Sequence, residues 1–156
     1  MGTRKSLGFG LLGLILGATF ITLAFAQTPP PGLKGKIITS GQEINTPTKA
    51  DGFIQKMRKQ DRNKLRRNAS GKWVIHFVAF FNRPSPIDKL GIVVLNAQKQ
   101  AVAVADVSVE KGQSTLQSQI TVEYTETPGK NHILQIYYPK GKKPMVLAKK
   151  QLVLIK

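Results

Sequence analysis

Residues 72–81 (KWVIHFVAFF) form the hydrophobic stretch around which the rest of the chain is organised. Its odd positions are all apolar, and its even positions are mostly apolar as well. A strand with one solvent-exposed face would alternate between apolar and polar side chains. This pattern therefore predicts a strand that is covered on both faces, or nearly so.

From residue 72 onward the hydrophobic pattern has a period of two, interrupted by short turn segments. In 115–124 the alternation is most regular, and Leu116, Ile120, Val122 and Tyr124 are predicted to face inward. Short strands separated by roughly 8–12 residues predict a mainly β fold, a single antiparallel β-sandwich of immunoglobulin-like type. The predicted strands are 34–39, 72–81, 90–96, 100–109, 115–124, 132–138 and 145–155.

A helical period replaces this alternation before the long strand, and it predicts one helix over about 49–67. Thr48 can cap its first turn, and 68–71 can end it. The apolar residues near one stripe of this helix are Phe53, Ile54, Met57 and Leu65. The stripe is thin, so packing against a sheet would have to stabilise the helix.

The N-terminal residues 1–26 have the pattern of a signal peptide. Arg4 and Lys5 precede an apolar run, and Ala24–Ala26 supplies a small-x-small cleavage pattern. We therefore expect an exported protein, periplasmic or extracellular, with an uncleaved membrane anchor as the minor alternative. Residues 27–33 read as a proline-rich spacer, and 34–156 as the β-sandwich domain.

The chain is strongly basic and has no cysteine. Its 24 Lys and Arg against 8 Asp and Glu give a formal charge of +16, or 22 − 8 = +14 without Arg4 and Lys5. Such a charge favours anionic partners. The absence of cysteine excludes disulfides, thiol catalysis and lipid attachment at a leader cysteine.

Few residues are suited to catalysis, so we expect neither an enzyme nor a metal or other cofactor. His76 lies in the apolar stretch and is read as a core or strand-end histidine. His132 follows a Pro-Gly turn and is expected to be solvated. Two histidines without a third ligand are a poor metal site. Asp106 is expected to be exposed or paired with a nearby lysine.

Several strings resemble a group of small secreted bacterial proteins with no known activity. The strings are 34–38 (KGKII), the helix start near 51–53 (DGF), 77–80 (FVAF) within the long strand, and 146–149 (VLAK). The resemblance implies export and an immunoglobulin-like or fibronectin-like sandwich. It implies no catalytic residues.

The basic helix is the candidate functional feature. Its predicted anion-binding residues are Lys56, Arg58, Lys59, Arg62, Lys64, Arg66 and Arg67. These residues suggest a binding or structural module of the cell envelope that contacts an anionic polymer, lipid head groups or an acidic protein. Nucleic acid is not the expected partner, because the aromatic residues lie on a core strand and do not alternate with the charges. The alternative is an accessory subunit of a secretion or adhesion complex that docks through a sheet edge.

Overall fold

The computed structural model describes residues 28–123 and 126–156. The predicted signal peptide and Tyr124 lie outside the described residues. A short 3₁₀ turn, Pro31–Leu33, precedes the first strand. The remaining elements are β1 (Ile37–Ser40), α1 (Phe53–Gln60), β2 (Lys64–Arg66), β3 (Trp73–Phe80), β4 (Lys89–Leu95), β5 (Ala101–Ser108), β6 (Thr115–Val122), β7 (Asn131–Lys140) and β8 (Lys143–Ile155).

The fold is mainly β, with two sheets. The first sheet has three antiparallel strands in the order β1-β3-β6. The second has five strands in the order β2-β8-β7-β4-β5, all antiparallel except that β2 runs parallel to β8. The strands predicted at 90–96 and 100–109 correspond to β4 and β5, which pair as an antiparallel hairpin. The sequence pattern did not predict β2.

Two hydrophobic cores meet at β3, which explains its nearly continuous apolar sequence. Trp73, Ile75 and Phe77 point into a core shared by the two sheets. Val78 and Phe80 point to the opposite face, where α1 packs over the three-stranded sheet. The prediction that this strand is covered on both faces is therefore confirmed for most of its length.

The predicted helix over 49–67 is wrong at both ends. The helix begins at Phe53 after Gly52, which adopts a left-handed conformation (φ 65°), so Thr48 does not cap it. It ends at Gln60, and Asp61 is already extended. Leu65 leaves the helical stripe because, as the central residue of β2, it is buried in the core between the sheets. β2 pairs with β8, and a helix that continued through these residues would lose the backbone hydrogen bonds of that pairing.

The segment after α1 crosses from one sheet to the other. The Thr39 N–H of β1 donates to Asp61 Oδ1 (2.9 Å), and the Arg62 N–H donates to the Thr39 carbonyl (2.7 Å). The Val153 N–H of β8 donates to the Asn63 carbonyl (2.7 Å). These bonds fix the segment to both sheets. No helix within the described part of the chain is long and apolar enough to cross a membrane.

Candidate anion-binding surface

The seven predicted anion-binding residues lie on three consecutive parts of the structure. Lys56, Arg58 and Lys59 are on α1, and Arg62 is in the segment that crosses between the sheets. The other three are on β2 or directly after it: Lys64, Arg66 and Arg67. The basic residues therefore extend from α1 onto the β2 edge of the five-stranded sheet, instead of forming one face of one helix.

Six of the seven are exposed, and we call these six the basic surface: Lys56, Arg58, Lys59, Arg62, Lys64 and Arg66. None of them forms an ion pair with a carboxylate of the described residues. On β2, buried Leu65 separates Lys64 from Arg66, so both cations point away from the core. The charges of the basic surface are thus available to an anion in solution.

Backbone carbonyls orient several of these side chains without neutralising them. Lys56 Nζ donates to the Asp51 carbonyl (3.3 Å), and Arg58 Nη2 donates to the Gly32 carbonyl (3.4 Å). Arg62 Nη1 donates to the carbonyls of Lys59 (2.8 Å) and Asp61 (2.9 Å). Arg62 is the most constrained of the six, because one nitrogen serves two backbone acceptors.

Arg67 does not belong to the basic surface. It is half-buried, and its Cζ lies 4.4 Å from the centroid of the Trp73 ring. Trp73 is fully buried and donates its indole N–H to the Ile155 carbonyl (2.8 Å). Arg67 Nε is buried and has no hydrogen-bond partner among the described residues. The guanidinium therefore covers a core aromatic ring, as in other cation–π pairs.

The sequence contains a second set of basic residues that would extend the basic surface if the fold brought it near: Lys140, Lys142, Lys143, Lys149 and Lys150. The structure does not place the lysines of the β7–β8 turn or Lys150 on that surface. Lys140, Lys142 and Lys143 lie at the turn between β7 and β8. Ten residues of β8 separate Lys143 from Val153, which pairs with β2, and this spacing is roughly 33 Å along a strand. Lys150 does approach α1, but it points inward and is 9% exposed.

Lys150 forms an ion pair with Asp61 at the end of α1. Burial lowers the pKa of Lys150 below its usual 10.5, and the hydrogen bond and charge of Asp61 act in the opposite direction. Asp61 thus joins Lys150 to the buried N–H of Thr39. No local sequence pattern indicates this contact, because 89 residues separate the partners.

Several carboxylates are engaged with cations outside the basic surface. Lys72 pairs with Glu123 (3.0 Å), and Lys89 pairs with Asp106 (2.9 Å). The Lys89–Asp106 pair is exposed, which confirms the expectation for Asp106; its hydrogen bond and charge raise the pKa of Lys89. Because these carboxylates pair with other cations, they do not neutralise the basic surface.

The prediction that His132 is solvated is wrong. His132 is fully buried; its Nδ1 lies 3.0 Å from the Lys130 carbonyl, and its Nε2 lies 3.1 Å from Glu126 Oε2. β7 begins at Asn131, so His132 shares the inward phase of Leu134 and Ile136, a signal that was visible in the sequence.

His76 is half-buried on β3, on the same face as Val78. Residues 28–123 and 126–156 contain no group of three or more His, Cys, Asp or Glu able to hold a metal ion. The two histidines thus lie in separate surroundings: His132 contacts Glu126, whereas His76 is half-buried on the face of β3 that also carries Val78 and Phe80.

Comparisons with known proteins give little. No family model matches the chain, and no curated protein matches it. A solved structure, a Bifidobacterium dentium β-glucuronidase complexed with coumarin-3-O-glucuronide, is similar with a TM-score of 0.40 and 9% identity. The match covers 75% of this chain and 16% of the enzyme chain. A likeness at this level carries no argument about function.

Proposed function

We propose that this protein is an exported, non-enzymatic module of the cell envelope that contacts an anionic component through the basic surface. The observation that carries the proposal is the set of six exposed cations between Lys56 and Arg66, none paired with a described carboxylate. Such a set attracts phosphate or carboxylate groups without first breaking an internal ion pair.

The backbone that carries the basic surface is fixed to the rest of the fold, which favours binding. Phe53 and Met57 anchor α1 in the second core, and the crossing segment is bonded to β1 and β8. Little backbone conformational freedom is therefore lost when a ligand binds. Near an anionic membrane each Lys or Arg contributes about 1 kcal/mol, so six give at most about 6 kcal/mol, and salt reduces this value.

The export and the finer fold assignment are parts of the same proposal. The basic start, the apolar run and the Ala24–Ala26 pattern support a cleaved leader. Two sheets that share one core support an immunoglobulin-like sandwich. Mass spectrometry of the protein recovered from an exporting bacterial host should give a chain that begins at Gln27. A chain that retains residues 1–26 would favour the membrane-anchored alternative.

The test of the binding surface uses two variants that lose the same charge. The first changes five residues of the basic surface to Gln: Lys56, Arg58, Lys59, Lys64 and Arg66. The control changes five exposed lysines elsewhere to Gln: Lys111, Lys130, Lys140, Lys142 and Lys143. Arg62 and Arg67 stay unchanged, because each makes contacts within the fold.

Binding is measured by co-sedimentation with phosphatidylglycerol-containing vesicles, using phosphatidylcholine vesicles as the neutral comparison. We expect the first variant to bind at least about tenfold more weakly, a difference of about 1.4 kcal/mol. The control should change binding by less than about threefold, a smaller step on the same scale. Equal losses would show that net charge alone attracts the vesicles. No binding by the unmodified protein to these vesicles or to a soluble acidic polysaccharide would overturn the proposed function.

The alternative, an accessory subunit that docks through a sheet edge, stays a prediction. Salt separates the two functions, because contacts with anions weaken as ionic strength rises. Backbone hydrogen bonds at a sheet edge depend much less on salt.

A further inference from the structure

The two sheets have four edge strands, and three of them are protected against pairing with another strand. The crossing segment covers part of β1 through Asp61 and Arg62. β2 is three residues long and carries two exposed cations. β6 presents polar side chains such as Gln119 and Thr121, and Gln117 is tied to the loop at 44–46. Short length, charge and covering loops are the devices by which proteins protect sheet edges.

The fourth edge, β5, has almost none of this protection. Its eight residues (AVAVADVS) contain no lysine, arginine or proline. Its one charged side chain, Asp106, already pairs with Lys89 of the neighbouring strand. Val104, near the middle of β5, is 62% exposed, and no other large apolar side chain is exposed in the described parts of the chain. A strand of this kind readily accepts another strand.

The hydrogen-bond phase of β5 shows which backbone groups point outward. The Val109 N–H donates to the Asp88 carbonyl (2.8 Å), and this pair fixes the phase of the ladder between β4 and β5. By antiparallel alternation, Ala105 and Val107 bond to β4, whereas the N–H and C=O groups of Val104 and Asp106 point away from the sheet. Within the described residues β5 pairs with β4 alone.

We propose that β5 is the interface through which two copies of this chain associate, with the two β5 strands antiparallel about a twofold axis at Ala105. In this register Val104 of each copy lies opposite Asp106 of the other. The outward groups of these two residues then form four N–H···O=C bonds between the copies. Each Asp106 keeps its own Lys89, and the exposed side of Val104 gains a neighbouring strand.

The charge distribution permits a second copy at this edge, because the repulsion between two copies is weakest there. Two molecules of about +14 repel each other, but residues 98–110 around β5 contain Lys99 against Asp106 and Glu110, or 1 − 2 = −1. β5 and the cationic β2 lie at opposite edges of the same sheet. Joining two β5 strands would create a ten-stranded sheet with its β2 strands nine steps apart, roughly 43 Å. This distance is several times the Debye length of about 10 Å at 0.1 M salt.

Sedimentation velocity across a concentration series, at low and high salt, tests this association. We expect a monomer–dimer equilibrium that tightens at high salt, because screening reduces the repulsion between like-charged copies. Val104→Glu should weaken the dimer at least about tenfold, since it places a carboxylate directly opposite Asp106 of the other copy. Thr121→Glu, on the exposed face of β6, adds the same charge at another edge and should leave the dimer unchanged beyond about twofold.

Trp73 fluorescence in urea checks that both variants remain folded; if Val104→Glu unfolds the chain, Val104→Pro replaces it. The proline variant removes an outward N–H while leaving the hydrogen bonds to β4 intact. A monomer at concentrations up to about 1 mM in high salt would overturn the proposal, because a dissociation constant of that size corresponds to only about 4 kcal/mol of association free energy. A dimer that resists the Val104 variants, or that Thr121→Glu weakens equally, would also overturn it.

Discussion

Asp61 joins three parts of the structure, and replacing it should be among the most damaging single changes outside the two cores. Its carboxylate accepts the N–H of fully buried Thr39 and pairs with the inward-pointing Lys150. Asp61→Ala would leave both donors without this acceptor. The expected result is a large loss of stability with the exposed basic surface still present.

The magnitude follows from these two contacts. A buried N–H that loses its acceptor costs about 1–3 kcal/mol. Removing one partner of a fully buried ion pair costs about 3–5 kcal/mol. Asp61 is 28% exposed and Lys150 is 9% exposed, so we take about 1–2 kcal/mol for this pair. The sum, about 2–5 kcal/mol, is a substantial part of the roughly 5–15 kcal/mol by which domains are stable.

Urea unfolding followed by the fluorescence of Trp73 measures this loss. Trp73 is the one tryptophan of the chain, and it is fully buried. With a slope of about 2 kcal/mol/M, the middle of the range for small domains, the urea midpoint should fall by about 1–2.5 M. Asp106→Ala is the matched control, because it removes an exposed ion pair with Lys89, and its midpoint should not change.

A double-mutant cycle with Lys150→Met separates the two contacts. The methionine keeps the length of the buried stem and leaves Asp61 bonded to Thr39, so this change alone should cost less than about 1 kcal/mol. In the Lys150→Met background, Asp61→Ala should lose only the Thr39 contact. The expected coupling is about 1–2 kcal/mol, and additivity within about 0.5 kcal/mol would refute the role of the pair.

Three further predictions concern other contacts. Burial lowers the pKa of Lys150. At pH values between that lowered pKa and 10.5, the folded chain therefore binds fewer protons than the unfolded chain. The free energy of unfolding should therefore rise with pH in this window, and Lys150→Met should remove that increment; equal slopes would contradict the assignment. Arg67→Gln should lower the free energy of unfolding by about 0.5–2 kcal/mol, because the contact with Trp73 is lost. Weaker vesicle binding with unchanged stability would instead show that Arg67 belongs to the basic surface. A Cβ at Gly91 would overlap the Tyr137 ring, so Gly91→Ala should lower the free energy of unfolding by about 1–2 kcal/mol. In a Tyr137→Ala background the same substitution should cost nothing. An equal cost in both backgrounds would exclude this explanation.

The long apolar strand could be predicted because both of its faces are buried locally. Every residue of β3 except half-buried Val74 and His76 lies in one of the two cores, so the composition of the strand reports its surroundings directly. The same reasoning succeeded for the β4–β5 hairpin, whose partners are adjacent in sequence. Patterns of this kind need no information from distant parts of the chain.

The end of the helix was predicted wrongly because it depends on contacts with distant parts of the chain. Three residues, Lys64–Arg66, are too few to show a period of two, and their partner β8 begins about 80 residues later. In the sequence Asp61 cannot be distinguished from a polar helix residue, because its partners Thr39 and Lys150 are distant along the chain. Six of the seven residues predicted to bind anions are exposed, but the shape of the surface that they form depends on pairing between distant segments.

The two proposed surfaces respond to salt in opposite directions, and this difference allows a joint test. Salt weakens attraction between the basic surface and anionic vesicles, but it strengthens association through β5 by screening repulsion. A dimer carries two basic surfaces, so it should bind vesicles more tightly than a monomer through avidity. Val104→Glu and Thr121→Glu each lower the net charge of the chain by one, so both should weaken vesicle binding by the same small amount through charge alone. Only Val104→Glu should weaken it further at the protein concentrations where the unmodified chain is dimeric, and a parallel fall in both variants would separate vesicle binding from association.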